Sequence, residues 1–188
     1  IVNDMLFLAH ADQGAQVRAT TPSSLADQVR QVLDFHEGVL ADHELSARVL
    51  GDAQVPFEQG LIRRAISNLL ANAARYADRG SEIGVSIARE GQLVWVEVTN
   101  QGSEVPPAAL PRLFDRFFRM EPAREDSSNN HGLGLAIVAA IARMHGGTTV
   151  ARSSSSQTTI GFSLAAAGAA PDAAHVSVPS DKAHGAVP

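Results

Sequence analysis

The sequence predicts a single α+β domain in which helices pack against a sheet. Its 188 residues, of which 45% are hydrophobic, suffice to bury one sizeable core. Two patterns occur in turn along the chain: apolar residues at helical spacing, and short runs in which β-branched residues alternate with others. Helices and strands are therefore interleaved in one unit.

Four segments show the helical spacing. The first is short and looks like the end of a longer helix, whose partner we expect to lie outside this sequence. The last two are the most regular, and each has an apolar face that can cover a sheet. The predicted helices are 1–11, 24–40, 57–76 and 134–145.

Five short segments have the composition of strands. They are rich in β-branched residues and are bounded by turn-forming residues. The predicted strands are 45–50, 83–89, 93–99, 147–153 and 158–164.

Two stretches lack either pattern. Residues 102–131 contain many Pro, Arg, Asp, Ser and Asn residues, including the run EDSSNN at 125–130, which predicts a long mobile loop. Loops of this length inside a compact domain are often lids or binding loops. After Leu164 the sequence is mostly Ala, Gly, Pro and Ser, which predicts a disordered tail.

Composition excludes several classes of function. The net charge is −5 and the basic residues are scattered, which argues against binding to nucleic acid or to an anionic membrane. Cysteine is absent, which excludes disulfides and cysteine-based zinc or redox sites and suits the cytoplasm. No run approaches the roughly 18 to 20 apolar residues that span a bilayer, so we expect this chain to be soluble.

The third predicted helix carries two asparagines that can bind a ligand. Asn68 and Asn72 are four residues apart, so they lie on one face within an otherwise apolar surface. Two buried amides need partners, and a lone Asn would most simply cap a neighbouring loop. An amide oxygen is also a neutral hard ligand that suits Mg²⁺.

Two glycine-containing turns follow. The segment 130–135, Asn-His-Gly-Leu-Gly-Leu, opens the last predicted helix, and backbone amides at a helix N-terminus attract phosphate. The segment 98–102, Val-Thr-Asn-Gln-Gly, ends a strand at a polar residue and a turn glycine. Each turn alone could be ordinary connecting structure, and neither matches a P-loop or a dinucleotide fingerprint.

Together these segments resemble the ATP-binding domain of sensor histidine kinases over about 45–164. SNLLANAARYA at 67–77 is similar to that family's N box, LFDRFFR at 113–119 to its F box, and HGLGLAIV at 131–138 to its G2 box. The resemblance implies a two-layer α/β sandwich of the Bergerat type. Its mixed, mostly antiparallel sheet would be covered by helices on one face and would carry a long ATP lid. In detail the boxes resemble the heavy-metal (copper, silver, zinc) sensor branch.

The resemblance also implies roles for single residues. Asn72 would coordinate Mg²⁺ with Asn68 beside it, and Arg119 would be the cation near the γ-phosphate, so these three form the predicted catalytic set. Arg75 would contact phosphates, and Tyr76 would stack near adenine. The G1 and G2 turns would add Asn100, Gly102, His131, Gly132, Leu133, Gly134 and Leu135, while Phe114, Phe117 and Phe118 would anchor the lid or join an aromatic core cluster.

Four positions depart from the family pattern. Asn100 stands where the family's G1 box has an Asp that accepts the adenine amino proton, so adenine recognition would lack charge-assisted strength. Glu104 replaces the second G1 glycine, and Asn130 a common G2 glycine. Near the last strand the sequence reads Gln157-Thr158 where Gly-Thr is usual.

The resemblance predicts three segments and a set of partners. Residues 1–14 would end the second helix of a dimerisation and phosphoacceptor domain, 15–165 would form the catalytic domain, and 166–188 the tail. The partners would be ATP or ADP, the chain's own dimerisation domain, and a response regulator. We expect this chain to be monomeric, and the full-length protein to be a homodimeric inner-membrane sensor with this domain in the cytoplasm.

The sequence is compatible with two other functions. One is that of the hydrolases and ATP-driven clamps of the same superfamily, which place a Glu base one turn before the Mg²⁺-binding Asn. This chain has Asn68 at that position, and an amide cannot accept a proton from water. A degenerate interaction module without nucleotide binding is suggested by Asn100, Glu104 and Gln157. The acceptor histidine is expected upstream of Ile1, because His36-Glu37 lies in the wrong place.

Overall fold

The structure, a computed structural model, describes residues 1–17, 21–120 and 131–166. The predicted tail from 167 onward and the EDSSNN run therefore lie outside the described residues. Within the described ranges, no helix combines the length and the hydropathy needed to cross a membrane.

The described residues form four α-helices, seven strands and one 3-10 turn. The helices are α1 (Val2–Asp12), α2 (Leu25–Asp42), α3 (Gln59–Tyr76) and α4 (Gly134–Met144). The strands are β1 (Pro22–Ser24), β2 (Ser46–Leu50), β3 (Gln54–Pro56), β4 (Glu82–Glu90), β5 (Leu93–Gln101), β6 (Thr149–Ser154) and β7 (Gln157–Ala165), and the 3-10 turn is Leu110–Arg112.

The main sheet has five strands in the order β2-β4-β5-β7-β6. β2 runs parallel to β4, and every other neighbouring pair is antiparallel. Helices α2, α3 and α4 pack on this sheet, and α3 contacts both α2 and α4. The predicted α+β architecture with a mixed, mostly antiparallel sheet is confirmed.

Helices α2 and α3 each begin where the sequence provides a capping side chain. The Ser24 hydroxyl accepts a hydrogen bond from the Asp27 amide at 3.1 Å and starts α2. The Glu58 carboxylate accepts from the amides of Gly60 and Leu61, so α3 begins at Gln59 rather than at the predicted Phe57. Side-chain acceptors at these positions satisfy amides that have no partner within the helix.

Two small elements were not predicted. β1 and β3 form an antiparallel pair, with Ser23 opposite Val55, beside the start of α2. The 3-10 turn interrupts the predicted loop. The predicted strand 147–153 begins at Thr149 in the structure. Gly147 still belongs to the turn after α4, because its amide donates to the Ala142 carbonyl at 2.8 Å.

The strand β5 shows how the core leads to the functional site. Its alternate residues Val94, Val96 and Val98 are buried, and Asn100 takes the next position on the same face. A polar residue therefore ends a row of core valines beneath the helices.

Candidate nucleotide-binding site

A cavity of about 880 Å³ opens between α3, α4 and the ends of β5 and β7. Its volume falls within the usual range for small-molecule sites. Every predicted site residue except Gly102 lines it: Asn68, Asn72, Arg75, Tyr76, Asn100, Arg119, His131, Gly132, Leu133, Gly134 and Leu135. The fold thus brings together residues that are up to 67 positions apart in the sequence.

The two asparagines of α3 differ in their surroundings. The Nδ2 of Asn68 donates to the Arg64 carbonyl at 3.0 Å, and its Oδ1 lies against α4, because a Cβ added at Gly134 would be 3.0 Å from that oxygen. Asn72 is half-buried one turn later, and its amide makes no hydrogen bond to the described residues. The Asn72 side chain therefore lines the cavity without a hydrogen-bond partner among the described residues, while Asn68 packs α3 against α4.

The N-terminus of α4 presents backbone amides to the cavity. Leu133 occupies the N-cap position, and its side chain makes no capping hydrogen bond. The first intrahelical bond runs from the Ile137 amide to the Leu133 carbonyl at 2.9 Å. The amides of the first turn are left without helical partners and carry the positive end of the helix dipole. Such a terminus suits a phosphate group.

Gly132 sets the direction in which the chain enters this helix. Its φ is +67°, and a Cβ there would meet the Phe117 carbonyl carbon at 2.8 Å and the Phe118 oxygen at 2.9 Å. Its carbonyl accepts a hydrogen bond from the Phe117 amide at 2.9 Å. Glycine is thus required both for the backbone conformation and for the close approach of the 113–120 segment.

Asn100 lies at the end of β5 and lines the cavity. Only 4% of its surface is exposed, and its Nδ2 donates to the Gln101 carbonyl at 3.2 Å. Thr158 lies directly opposite on β7 and shares a hydrogen bond of 2.8 Å with Ser153. Among the described residues no donor contacts the Asn100 Oδ1, so this oxygen can accept from a ligand.

Gly102 has a packing role in the structure. A Cβ at this position would lie 2.1 Å from the Tyr76 carbonyl oxygen, and the Gly102 amide donates to the Ser156 carbonyl at 2.9 Å. It allows the end of β5 to approach the end of α3. Its role in ligand binding stays a prediction.

The 113–120 segment closes one wall of the cavity. Arg119 is half-buried in that wall, and Phe114 and Phe118 pack against the hydrophobic core. Phe117 is 56% exposed with a φ of +63°, so the three aromatic residues do not form one cluster. The Arg112 guanidinium lies 4.4 Å from the centre of the Phe118 ring, which helps to fix the segment.

Arg64, Thr158 and Asp4 also line the cavity and were not predicted as site residues. Arg64 precedes Asn68 by one helical turn, so its spacing could have revealed it. Thr158 could have been found from its pairing with Asn100. Asp4 could not, because it belongs to α1 and reaches the cavity only through tertiary packing.

Ser67 connects the cavity to a histidine on α2. The Ser67 hydroxyl is 2.8 Å from the His36 Nε2. Burial lowers the pKa of His36 below its ordinary value of 6.5, so the ring is neutral at pH 7. His36 therefore supports the cavity wall, as a packing residue.

Comparison with known proteins identifies the family. Residues 58–168 match the family described as histidine kinase-, DNA gyrase B-, and HSP90-like ATPase. The chain belongs to this ATPase family. The matched region contains every residue that lines the cavity except Asp4 of α1, so the site lies within the ATPase domain.

Curated relatives of this ATPase domain include sensor kinases. The chain is 43% identical over 154 residues to the sensor histidine kinase CusS of Escherichia coli K12, which covers 81% of this chain and 32% of CusS. It is 37% identical over 147 residues to the sensor protein CzcS of Cupriavidus metallidurans, covering 78% of this chain and 31% of CzcS. The chain spans about a third of the length of these relatives.

Solved structures show the same fold. The histidine kinase AdeS of Acinetobacter baumannii superposes with a TM-score of 0.72 at 22% identity, covering 88% of this chain and 77% of that one. The mycobacterial sensor histidine kinase MprB superposes with a TM-score of 0.66 at 26% identity, covering 79% of this chain and 98% of the MprB chain. The resemblance to sensor histidine kinases that the sequence predicts is confirmed.

Proposed function

We propose that this chain is the catalytic domain of a sensor histidine kinase, which binds Mg-ATP and transfers its γ-phosphate to a histidine on a dimerisation domain. One observation carries the proposal: the cavity places Asn72, the α4 N-terminus and Arg119 around a single space. An amide ligand, unpaired backbone amides and a guanidinium are groups that bind a polyphosphate.

The residues present fit a magnesium ion bound together with phosphates. Among the described residues, no group of three or more acidic or histidine side chains could hold a metal by itself. The half-buried Asn72 amide supplies one oxygen, which leaves the other positions to phosphates and water, as Mg²⁺ prefers. A bound Mg²⁺ would neutralise part of the phosphate charge, and Asn72 is the residue that would hold it.

The protein's own groups account for binding and positioning. The α4 amides and Gly132 would receive the phosphates, and Arg119 would stabilise the charge on the transferred group. Asn100 would accept a proton from the adenine amino group, and Tyr76 would cover the ring at the cavity edge. Phosphoryl transfer depends mainly on such positioning and charge stabilisation, so these groups suffice without a covalent intermediate.

Two features oppose the alternative functions. Asn68, one turn before Asn72, cannot serve as the base of an ATP hydrolase, and its amide is engaged with Arg64 and packed against Gly134. A degenerate module would be expected to have lost the phosphate end of the site. Here Asn72, Gly132 and Arg119 all line one cavity, although Asn100 and Glu104 depart from the family pattern.

The whole protein would extend well beyond this chain. By its relation to CusS and CzcS, we propose a homodimeric membrane sensor of the heavy-metal branch, with its acceptor histidine and signal-binding domain outside this sequence. The phosphate would pass to an aspartate of a response regulator. This chain would correspond to its cytoplasmic part.

The experiment that tests the kinase function uses γ-labelled ATP and the 188-residue chain. We expect the chain to bind ATP without releasing labelled phosphate at a steady rate and without labelling any of its own histidines. Steady hydrolysis that disappears in Asn72→Ala would support the hydrolase function instead. Labelled phosphohistidine on this chain would overturn the assignment of the acceptor to another segment.

A further inference from the structure

Arg64 is a cation of the cavity to which the proposed function assigns no role. It lies four residues before Asn68 and eight before Asn72, and therefore on the same face of α3. Its carbonyl oxygen accepts the Asn68 side-chain hydrogen bond at 3.0 Å. Arg64 therefore extends the row of ligand-binding residues by one turn.

The guanidinium of Arg64 is held by the first helix. Its Nη2 lies 2.6 Å from the Oδ1 of Asp4, and its Cζ lies 4.4 Å from the centre of the Phe7 ring. Arg64 and Asp4 are 32% and 36% exposed, and Asp4 itself lines the cavity. A carboxylate from α1 thus forms part of the wall of a site that suits an anion.

The position of Arg64 along α3 indicates which part of a nucleotide it would meet. Tyr76 and Asn100 lie at the C-terminal end of α3, and Asn68 lies further back against the N-terminus of α4. Arg64 lies beyond Asn68, twelve residues and about 18 Å from Tyr76 along the helix. A nucleotide with its base beside Asn100 would direct its last phosphate toward Arg64.

We propose that Arg64 is a specificity-determining residue that recognises the third phosphate of a nucleoside triphosphate, and that Asp4 of α1 competes with this phosphate for the guanidinium. The inference rests on the proposed function, because it assumes that the cavity binds a nucleotide. A terminal phosphate carries more charge than a carboxylate and matches the guanidinium fork. The Asp4 carboxylate also repels a third phosphate more strongly than it repels the more distant end of a diphosphate.

The competition couples nucleotide state to the contact between α1 and the ATPase domain. A triphosphate would displace Asp4 and loosen the first turns of α1, while a diphosphate would leave the ion pair in place. Asp12, at the other end of α1, pairs with Arg116 and Arg143 and does not line the cavity. Asp12 therefore serves as a matched control with the same charge on the same helix.

The test compares the dissociation constants of ADP and a non-hydrolysable ATP analogue, by calorimetry with Mg²⁺, in four proteins. These are the unaltered chain, Asp4→Asn, Arg64→Gln and the control Asp12→Asn. Asp4→Asn is expected to tighten binding of the analogue about fivefold more than binding of ADP, since it frees the guanidinium and removes a like charge. Arg64→Gln should lower the preference for the analogue, and Asp12→Asn should leave it unchanged.

Hydrogen exchange supplies a second readout that does not depend on affinity. The analogue should speed exchange of the α1 amides in the unaltered chain, and ADP should not. Equal changes in ADP and analogue affinity in Asp4→Asn, or equal effects of Asp4→Asn and Asp12→Asn, would overturn the inference while leaving the proposed function intact. An unaltered chain that binds neither nucleotide would overturn both.

Discussion

Single residues determine how closely the walls of this cavity approach each other. Gly132 adopts a left-handed conformation and touches the backbone of Phe117 and Phe118, whereas Gly91, in the β4–β5 turn with a φ of +59°, has no neighbour within 4 Å. The two glycines thus share a backbone conformation and differ in packing.

Replacing these glycines with alanine should separate the two effects. Gly91→Ala should lower the free energy of unfolding by about 1 kcal/mol, which is the cost of the left-handed conformation. Gly132→Ala should lower it by about 2 to 4 kcal/mol, because the added methyl must also displace backbone atoms. Urea unfolding measures both values. Equal losses would mean that the approach of Phe117 to Gly132 contributes nothing to stability.

Asn100 offers a second prediction at the residue scale. Asn100→Asp should tighten ADP binding about fivefold, because a carboxylate forms a stronger hydrogen bond with the adenine amino group. It should also lower the free energy of unfolding by about 1 to 3 kcal/mol, since the buried carboxylate loses the bond to the Gln101 carbonyl. Calorimetry and urea unfolding test the two effects, with Asn100→Ala as the control for loss of the acceptor. Weaker ADP binding in Asn100→Asp would contradict this account of adenine recognition.

At the scale of elements, one histidine joins the two helices that form the cavity. His145 follows α4; its Nδ1 is 2.8 Å from the Ile141 carbonyl, and its Nε2 accepts from the Glu58 amide at 3.2 Å, at the start of α3. Burial lowers the pKa of His145 below 6.5, although the Ile141 carbonyl and the Glu58 charge oppose this shift. Protonation would remove the acceptor for the Glu58 amide.

The stability of the domain should therefore decrease in mild acid. The unfolded chain binds protons at His145 and His36 near pH 6.5, whereas the folded chain binds them only at lower pH. The contribution of these histidines to the free energy of unfolding is therefore fully present above pH 6.5 and decreases as the pH drops below it. Urea unfolding from pH 7.5 to 5 should show a smaller decrease in His145→Gln, while His43→Gln, an exposed control, should behave like the unaltered chain. An unchanged pH dependence in His145→Gln would contradict this role.

The elements that the sequence predicts well are those with local periodicity. Helix α3 and strand β5 each carry an uninterrupted pattern, and their ends follow from local residues such as Glu58 and Gly102. The pair of β1 and β3 was not predicted, because strands of three residues are too short to show a period and the paired residues are 30 to 34 positions apart. Most of the predicted ligand residues lie on α3 or at the start of α4. Local periodicity defines the faces of these helices, so the sequence could place these residues together.

At the scale of the whole molecule, the docking of α1 is the feature that local pattern could not predict. Leu8 is 2% exposed and belongs to the core, and the Asp4 and Asp12 ion pairs hold both ends of the helix. These contacts join residues that are 60 or more positions apart. The prediction that 1–14 is a truncated helix of another domain said nothing about where that helix would lie, and the domain boundaries stay a prediction.

The same helix bears on the association state that we expect. α1 exposes Val2, Met5 and Leu6, but a helix of 11 residues is too short to hold a dimer by itself. We expect light scattering to give the mass of a monomer, 19.8 kDa, at micromolar concentration. A dimeric mass that falls to the monomer value in Leu6→Glu would show that the exposed face of α1 suffices for association.

The central claim is that the cavity binds a nucleotide through Asn72 and magnesium. Calorimetric titration of the chain with ADP and with a non-hydrolysable ATP analogue, with and without Mg²⁺, tests it most directly. We predict saturable binding that strengthens with Mg²⁺. We also predict a loss of at least about tenfold in affinity in Asn72→Ala, which removes the amide ligand. Absence of binding at millimolar nucleotide, or binding that does not depend on Asn72, would contradict it.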